Sequence, residues 1–167
     1  MPRGLIEAVL DAPVGKVRVL TTHLEYYSPV QRMAQVRHIK YLHWEACERA
    51  RIYQPDPQLE APFQLGFRPG SAIYCGDFNF VPNSREYNAL LAPDQSISLQ
   101  LVDAWRLRHP AISRAPTAGL HGYKWPERAD CFDYIFVTDD LAPRVQECEV
   151  HSETAASDHQ PVVLDIA

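Results

Sequence analysis

The sequence predicts a mixed α/β (α+β) fold in which strands and helices pack as layers around one core. Short apolar runs typical of strands recur along the whole chain. One long stretch instead carries apolar residues at steps of three and four, which indicates an amphipathic helix. The 167 residues are enough for a domain with its own core, and we predict a single domain over 1–167.

A hairpin and a long helix begin the chain. Residues 4–10 and 16–22 are predicted strands, and the proline and glycine of the intervening DAPVG are typical of a hairpin connection. Ser28 is a good N-cap, and Pro29 suits the first helical position because an N–H there has no intrahelical partner. The predicted apolar stripe of this helix comprises Met33, Val36, Ile39, Leu42, Ala46, Ala50 and Tyr53. Most charges lie off the stripe and are predicted to face solvent, namely Arg32, Lys40, Glu45 and Glu48.

Loops and shorter elements fill the rest of the chain. Residues 54–70 hold four prolines and two glycines, which predicts a loop, and loops of this length often line functional sites. The other predicted elements are a strand at 71–75, a helix at 84–91 capped by Ser84, a short strand or turn at 101–105, a loop over 108–130, and strands at 132–137, 145–150 and 161–166.

Composition and charge limit the function classes. Apolar residues make up 46% of the chain and charged residues 22%, as in ordinary globular proteins. The formal charge of −5 argues against a protein that binds nucleic acid by neutralising its phosphates with a basic face. It does not exclude a phosphate substrate, since a bound divalent cation supplies local positive charge. No apolar run has membrane-spanning length and no secretory signal is visible, so we expect a cytoplasmic location.

The four cysteines are predicted to be free thiols in a reducing compartment, with disulfides as the alternative. None lies at the spacing of a metal-binding knuckle. They are Cys47, Cys75, Cys131 and Cys148.

Four polar motifs interrupt the apolar pattern close to strand ends. They are His23 in TTHLE, Asp77 and Asn79 in CGDFNF, Asp133 in CFDYIFV, and Asp158 with His159 in SDHQP. Taken singly, three of the motifs have structural explanations: His23 as a rim histidine, Asp77 and Asn79 as a turn, and Asp158 with His159 as a strand-edge pair. Asp133 lies among apolar neighbours and needs a partner, because an unpaired buried charge is costly. Taken together, they supply carboxylates for a hard cation such as Mg²⁺ or Mn²⁺ and imidazoles for phosphate binding and proton transfer.

An extended backbone after the predicted strand at 71–75 would direct two polar side chains towards one ligand. If residues 77–79 stay extended, the side chains of Asp77 and Asn79 point the same way and Phe78 points into the core. Gly76 is then expected to be the break at which the chain leaves the sheet. Asp158 and His159 are adjacent, so they serve one site only at a bend.

In order and spacing, TTHLE, CGDFNFVPNS, FDYIFV and SDHQPVVLDI resemble the later motifs of the endonuclease/exonuclease/phosphatase superfamily, and DAWRLRHP resembles a further segment of it. The resemblance covers nearly the whole chain. It implies a deoxyribonuclease I-like β-sandwich flanked by helices, with the site at one end. It also implies cleavage of phosphodiesters or phosphomonoesters with Mg²⁺ or Mn²⁺, on substrates such as nucleic acid, a phospholipid headgroup, an inositol phosphate or a nucleotide.

The resemblance also assigns roles to this chain's residues. Asp77 would orient or deprotonate the attacking water, and Asn79 would donate to the scissile phosphate. His159 would donate to the phosphate while Asp133 holds it in position, and His23 would lie near the phosphate and leaving group. The metal would be bound by Asp158, with a second site formed by Asp77, Asn79 and His159.

The chain departs from the family pattern at its start. The early asparagine and the metal-binding glutamate of the family have no match, because the settings of Glu7 and Asp11 differ. We therefore expect a C-terminal portion of a longer protein that lacks the N-terminal half of the sandwich. Its uncovered sheet face would then favour self-association.

Three functions from different classes remain open. The first is a metal-dependent phosphohydrolase. The second is a non-catalytic module that binds phosphate or a partner, or an inactive fragment of such an enzyme. The third is a structural domain whose polar residues are only caps and turns. Tyr123 and Trp125 are candidates for stacking on a substrate ring, with loop packing as the alternative.

Overall fold

A computed structural model of the protein describes residues 3–56, 58, 60, 66–122 and 126–167. The strands are β1 (Leu5–Ala12), β2 (Gly15–His23), β3 (Ala72–Asp77), β4 (Leu101–Asp103), β5 (Asp133–Thr138), β6 (Val145–Val150) and β7 (Val162–Ile166). The helices are α1 (Pro29–Ile52), α2 (Arg85–Leu91) and α3 (Ala104–Arg108). Tyr123 and Trp125 lie outside the described residues.

Two sheets form the β layers. Five strands pair in the order β1-β2-β3-β5-β4, and β6 pairs with β7 in a separate antiparallel sheet. Within the larger sheet, β2 and β3 run parallel and the other neighbours antiparallel. One face of this sheet packs on α1 and α2 through Tyr74 and Phe136, while the other packs Ile135 and Val137 against β6 and β7. The mixed α/β class predicted from the sequence is confirmed.

Each predicted helix and strand is present, with bounds that shift by a few residues, whereas the predicted loops over 54–70 and 108–130 lie partly outside the described residues. The serines at positions 28 and 84 accept hydrogen bonds from the first turns of α1 and α2, as their sequence positions predict. The DAPVG hairpin is confirmed by eight antiparallel residue pairs between β1 and β2. The short strand at 101–105 is a three-residue strand that continues directly into α3.

The predicted solvent-facing charges of α1 are wrong in part. Arg32 forms an ion pair with Glu86 of α2, at 3.3 Å. Lys40 donates to two carbonyl oxygens at the C-terminal end of α2, at 2.7 and 3.3 Å. Glu45 accepts from Arg68 at 2.7 Å. These side chains attach the helix to its neighbours, which periodicity along one helix cannot show.

A buried charge network joins the start of β2 to α1. Arg18 is fully buried and donates to the carbonyl of Pro69, to Glu7 Oε2 at 3.1 Å and to His43 Nδ1 at 3.0 Å. Burial lowers the pKa of His43 from 6.5 to about 4, and the neighbouring guanidinium of Arg18 adds to this shift. The ring is therefore neutral, and its Nε2–H donates to the carbonyl of Leu99 at 2.7 Å.

An apolar face of β1 is exposed on the side of the sheet opposite α1 and α2. Ile6 is 71% exposed and Leu10 48% exposed. The four cysteines are all free thiols, and three of them are buried. Among the described residues, no helix has the length and apolar character needed to cross a bilayer.

Candidate active site

A row of polar side chains crosses three strands at one end of the large sheet. The parallel register pairs His23 of β2 with Asp77 of β3, and the antiparallel register pairs Asp77 with Asp133 of β5. Directly paired residues on neighbouring strands point to the same face. The pairing therefore places one imidazole and two carboxylates side by side on the face opposite α1 and α2.

The predicted end of the third strand at Gly76 is wrong. β3 continues to Asp77, and Gly76 stays paired with both β2 and β5. Its φ is +134°, and a Cβ there would lie 2.0 Å from the carbonyl oxygen of Thr22. Glycine is needed at this position because the backbones of β2 and β3 approach closely, and this approach holds Asp77 beside His23.

Asp77 is held by contacts on both carboxylate oxygens. Oδ1 accepts the backbone N–H of Asn79 at 2.8 Å, and Oδ2 lies 3.3 Å from His23 Nε2. Burial raises the pKa of Asp77 above 3.8, and the negative charge of Asp133 raises it further, against the opposing effects of the Asn79 N–H and of the two histidines. A carboxylate with a raised pKa is a better proton acceptor.

The expectation of an extended backbone through residue 79 is wrong. Asn79 has a φ of 51°, in the left-handed region that asparagine tolerates better than most residues. Its side chain is buried, and Nδ2 donates to the carbonyl of Leu24 at 2.8 Å. That contact uses one of the two amide hydrogens. Phe78 is fully buried, as the sequence predicts, and its ring packs against the rings of Tyr134 and Phe136 in β5.

Asp133 connects two further parts of the site. Its Oδ2 accepts from His159 Nδ1 at 2.7 Å and from Thr117 Oγ1 at 2.6 Å. Thr117 is fully buried, and the same hydroxyl accepts the backbone N–H groups of Phe132 and Asp133, both at 3.0 Å. The hydrogen bond to Asp133 raises the pKa of His159, while partial burial opposes this.

Asp158 is next to His159 but is not among the potential metal ligands that cluster in the row. Asp158 is exposed, and its Oδ1 accepts from the neighbouring Ser157 hydroxyl at 3.2 Å. Among the described residues, the cluster of potential metal ligands consists of Asp77, Asp133 and His159, whose ligand atoms all lie within 4.8 Å of one another. Glu7 and Asp11 form ion pairs with arginine and lysine side chains elsewhere.

The donor set fits a hard divalent cation. Two carboxylates and one imidazole offer three ligands, and Mg²⁺ usually takes only a few protein ligands while retaining water or substrate oxygens at its other positions. The like charges of Asp77 and Asp133 are close enough to raise the Asp77 pKa, which a cation between them would relieve. The metal role expected for Asp158 stays a prediction.

An open cavity of about 610 Å³ contains the row's accessible side chains. It is lined by the predicted residues His23, Asp77, Asn79 and His159. Arg3, Tyr26 and Tyr27 complete its lining, and no sequence motif marks them. Thr117 was also not recognised from the sequence, because it falls in the 108–130 stretch that the pattern assigns only to a loop.

Comparison with known protein families identifies the chain. A model of the "Endonuclease/Exonuclease/phosphatase family" matches residues 11–159. The chain belongs to this family. The matched range contains every motif that contributes a side chain to the row, from TTHLE to His159.

Solved structures of family members share the fold. An AP endonuclease from Archaeoglobus fulgidus is 19% identical, with a TM-score of 0.54 over 90% of this chain and 61% of that one. A mannosyl-6-phosphatase from Bacteroides thetaiotaomicron is 17% identical, with a TM-score of 0.59 over 91% of this chain and 51% of that one. A 3′ phosphatase from Neisseria, bound to a product DNA hairpin, is 18% identical, with a TM-score of 0.60 over 100% of this chain and 72% of that one.

The chain is shorter than these proteins and covers 51–72% of their lengths. At these identities the likeness establishes the deoxyribonuclease I-like fold. The search of curated proteins gave no match.

Proposed function

We propose that the chain is a divalent-metal-dependent hydrolase of phosphate esters, acting as a phosphodiesterase (nuclease) or as a phosphatase. The observation that carries this proposal is the row His23–Asp77–Asp133, with His159 bonded to its last member. Family membership supports it, and so do the names of structural relatives that act on DNA or on a sugar phosphate.

Proton acceptance is the task proposed for Asp77. The Asn79 N–H fixes one of its carboxylate oxygens, and the other lies beside His23 in the cavity, where it is placed to take a proton from an attacking water. His23, 3.3 Å from the same carboxylate and 56% exposed in its side chain, is placed to exchange a proton with the leaving group.

Phosphate binding is the task proposed for His159 and Asn79. Asp133 accepts from His159 Nδ1, which directs Nε2 to a phosphate oxygen and favours the charged ring. The second amide hydrogen of Asn79 is the other donor. Both donors would stabilise the negative charge that develops on the phosphate in the transition state.

The metal is proposed to be Mg²⁺ or Mn²⁺, held by the carboxylates of Asp77 and Asp133, because the two N–H groups of a charged His159 are used on Asp133 and on the phosphate. When bound, such a cation neutralises charge on the phosphate oxygens. The position of Asp158 next to His159 is also consistent with a ligand that acts through water.

A non-catalytic phosphate-binding module is the second candidate. The donor set favours it, because the described cluster contains only two carboxylates. Glu7, the glutamate nearest the N-terminus, forms ion pairs with Arg18 and Arg68 instead. Such a module would bind phosphate esters without cleaving them.

Hydrolysis assays separate the two candidates. The chain is incubated with a DNA oligonucleotide, a nucleotide, an inositol phosphate and a phospholipid, each with Mg²⁺ and with excess chelator. We expect hydrolysis of at least one substrate, its loss in chelator, and a decrease of about 100- to 10,000-fold in Asp77→Asn, which removes the proton acceptor at constant shape.

The control variant is Asp165→Asn, at an exposed aspartate of β7 that pairs with Glu147 and does not line the cavity. It should retain full activity. Hydrolysis that persists in chelator would contradict metal dependence, and hydrolysis that survives Asp77→Asn would contradict the role of this site. Binding of phosphate esters without turnover would favour the second candidate.

A further inference from the structure

Two tyrosines form one wall of the cavity that contains the row. Tyr26 and Tyr27 follow β2 directly, and their rings meet edge to face with centroids 4.8 Å apart. Tyr27 is 86% exposed, so its ring contributes little to the packing of the fold. An aromatic pair of this kind at the edge of a phosphate site offers a flat surface for a second part of the substrate.

The backbone that carries the two rings is fixed by surrounding side chains. Arg32 Nη1 donates to the carbonyls of Glu25 and Tyr26, both at 2.9 Å. The Tyr27 N–H donates to Glu25 Oε1 at 2.9 Å, and the Glu25 N–H donates to Gln35 Oε1 at 2.8 Å. Ser28 then caps α1. The rings are therefore presented on a segment whose conformation is set before a ligand arrives, which lowers the entropy lost on binding.

The size and charge of the cavity limit what the rings can bind. Its volume of about 610 Å³ lies in the range of sites for small organic ligands, and a phosphate group alone occupies little of it. Among its described lining residues, Arg3 is the only lysine or arginine, and Arg3 Nε lies 3.8 Å from Glu25 Oε2. A ligand with several phosphates would need more cations than this lining provides.

We propose that Tyr26 and Tyr27 form a ring-binding subsite that selects phosphate esters of nucleosides, with the base stacked on Tyr27 and the phosphate at His159. This inference rests on the proposed function, because it concerns the substrate of the same site. It identifies a nucleoside monophosphate as the substrate class. Stacking on an aromatic side chain tolerates any base, so no preference among bases is expected from these rings.

Equilibrium binding tests the subsite without requiring turnover. Thymidine 5′-monophosphate, 2-deoxyribose 5-phosphate and myo-inositol 1-phosphate are titrated into the full chain in a calorimeter. The first two differ at C1 of the sugar, which carries thymine in the nucleotide and a hydroxyl group in the sugar phosphate. Base–aromatic stacking predicts that the nucleotide binds about five- to 150-fold more tightly than the base-free sugar phosphate.

Three variants assign the preference to its source. Tyr27→Ala should bring the nucleotide to within about twofold of the sugar phosphate, and Tyr27→Phe, which keeps the ring, should retain the preference. Tyr41→Ala is the matched control, since it removes a tyrosine of α1 that is 56% exposed and outside this cavity. It should bind both ligands as the original chain does.

The outcomes distinguish this inference from the proposed function. Equal affinity of the original chain for nucleotide and sugar phosphate would overturn the subsite, as would equal or tighter binding of the inositol phosphate or a preference that survives Tyr27→Ala. A base preference in a chain without hydrolytic activity would support the subsite and contradict the hydrolase. Hydrolysis without a base preference would do the reverse.

Discussion

Replacing Thr117 by valine tests whether the site depends on a buried hydroxyl that touches no substrate. The side chain keeps its shape, but Asp133 loses a donor at 2.6 Å, and the N–H groups of Phe132 and Asp133 lose their acceptor. An N–H left without a partner costs about 1–3 kcal/mol when fully buried, and these two are only partly buried, so the free energy of unfolding should fall by about 2 kcal/mol. Thr117→Ser keeps the hydroxyl and should lose only about 1 kcal/mol, for the missing methyl group.

Thr138→Val is the matched control at the other end of β5. Thr138 is also fully buried, and its hydroxyl accepts the Ala72 N–H at 3.0 Å. Urea denaturation should show that both valine variants lose stability. Only Thr117→Val should also lower kcat/KM. In its pH–rate profile the fall in activity on the alkaline side should begin at a lower pH, because a displaced Asp133 no longer raises the pKa of His159. Equal activity and equal pH profiles in the two variants would refute a positioning role.

Three further predictions concern the rest of the fold. Gly76→Ala should lower stability by about 3 kcal/mol or more, because its Cβ would meet the Thr22 carbonyl, whereas Gly4→Ala, with open space, should change melting temperature little. The pKa of His43 is lowered from 6.5 to about 4, so this residue contributes about 3 kcal/mol of stability above pH 6.5 that is lost as the pH falls towards 4. His43→Gln should flatten this part of the curve of stability against pH. An unchanged slope would contradict the assignment. We propose that the exposed β1 face causes self-association, which Ile6→Lys should weaken in sedimentation velocity; a monomer at every concentration would argue against it.

Most of the secondary structure was predictable because it depends on local patterns. The N-cap at Ser28, the three- and four-residue steps of α1 and the alternation in β2 are encoded within a few residues of one another. The charges of α1 were placed wrongly because their partners on α2 and near residue 68 come from distant parts of the sequence. Periodicity reports which face of a helix is apolar, and it carries no information on what a polar side chain meets across the fold.

The candidate site was predictable in its residue types and only partly in its geometry. The motifs identified His23, Asp77, Asn79, Asp133 and His159 as a set, and the structure brings these five together. The backbone turn at position 79 and the close strand contact at position 76 were missed, because both are set by neighbouring strands. The supporting threonine was missed because a loop residue carries no periodic signal.

The register of the sheet helps to explain why the pKa of Asp77 is raised. Paired residues on adjacent strands lie about 5 Å apart, so pairing Asp77 with Asp133 forces two negative charges together at the edge of the core. A loop would relax to separate them, but the hydrogen bonds of β3 and β5 and the close contact at Gly76 prevent it. The repulsion is offset on one side by His23 and on the other by His159, and it adds to the effect of burial, which is the main cause of the raised Asp77 pKa. The sheet thus holds in place a charge pair that a cation or a proton stabilises, which is the condition that both metal binding and proton acceptance require.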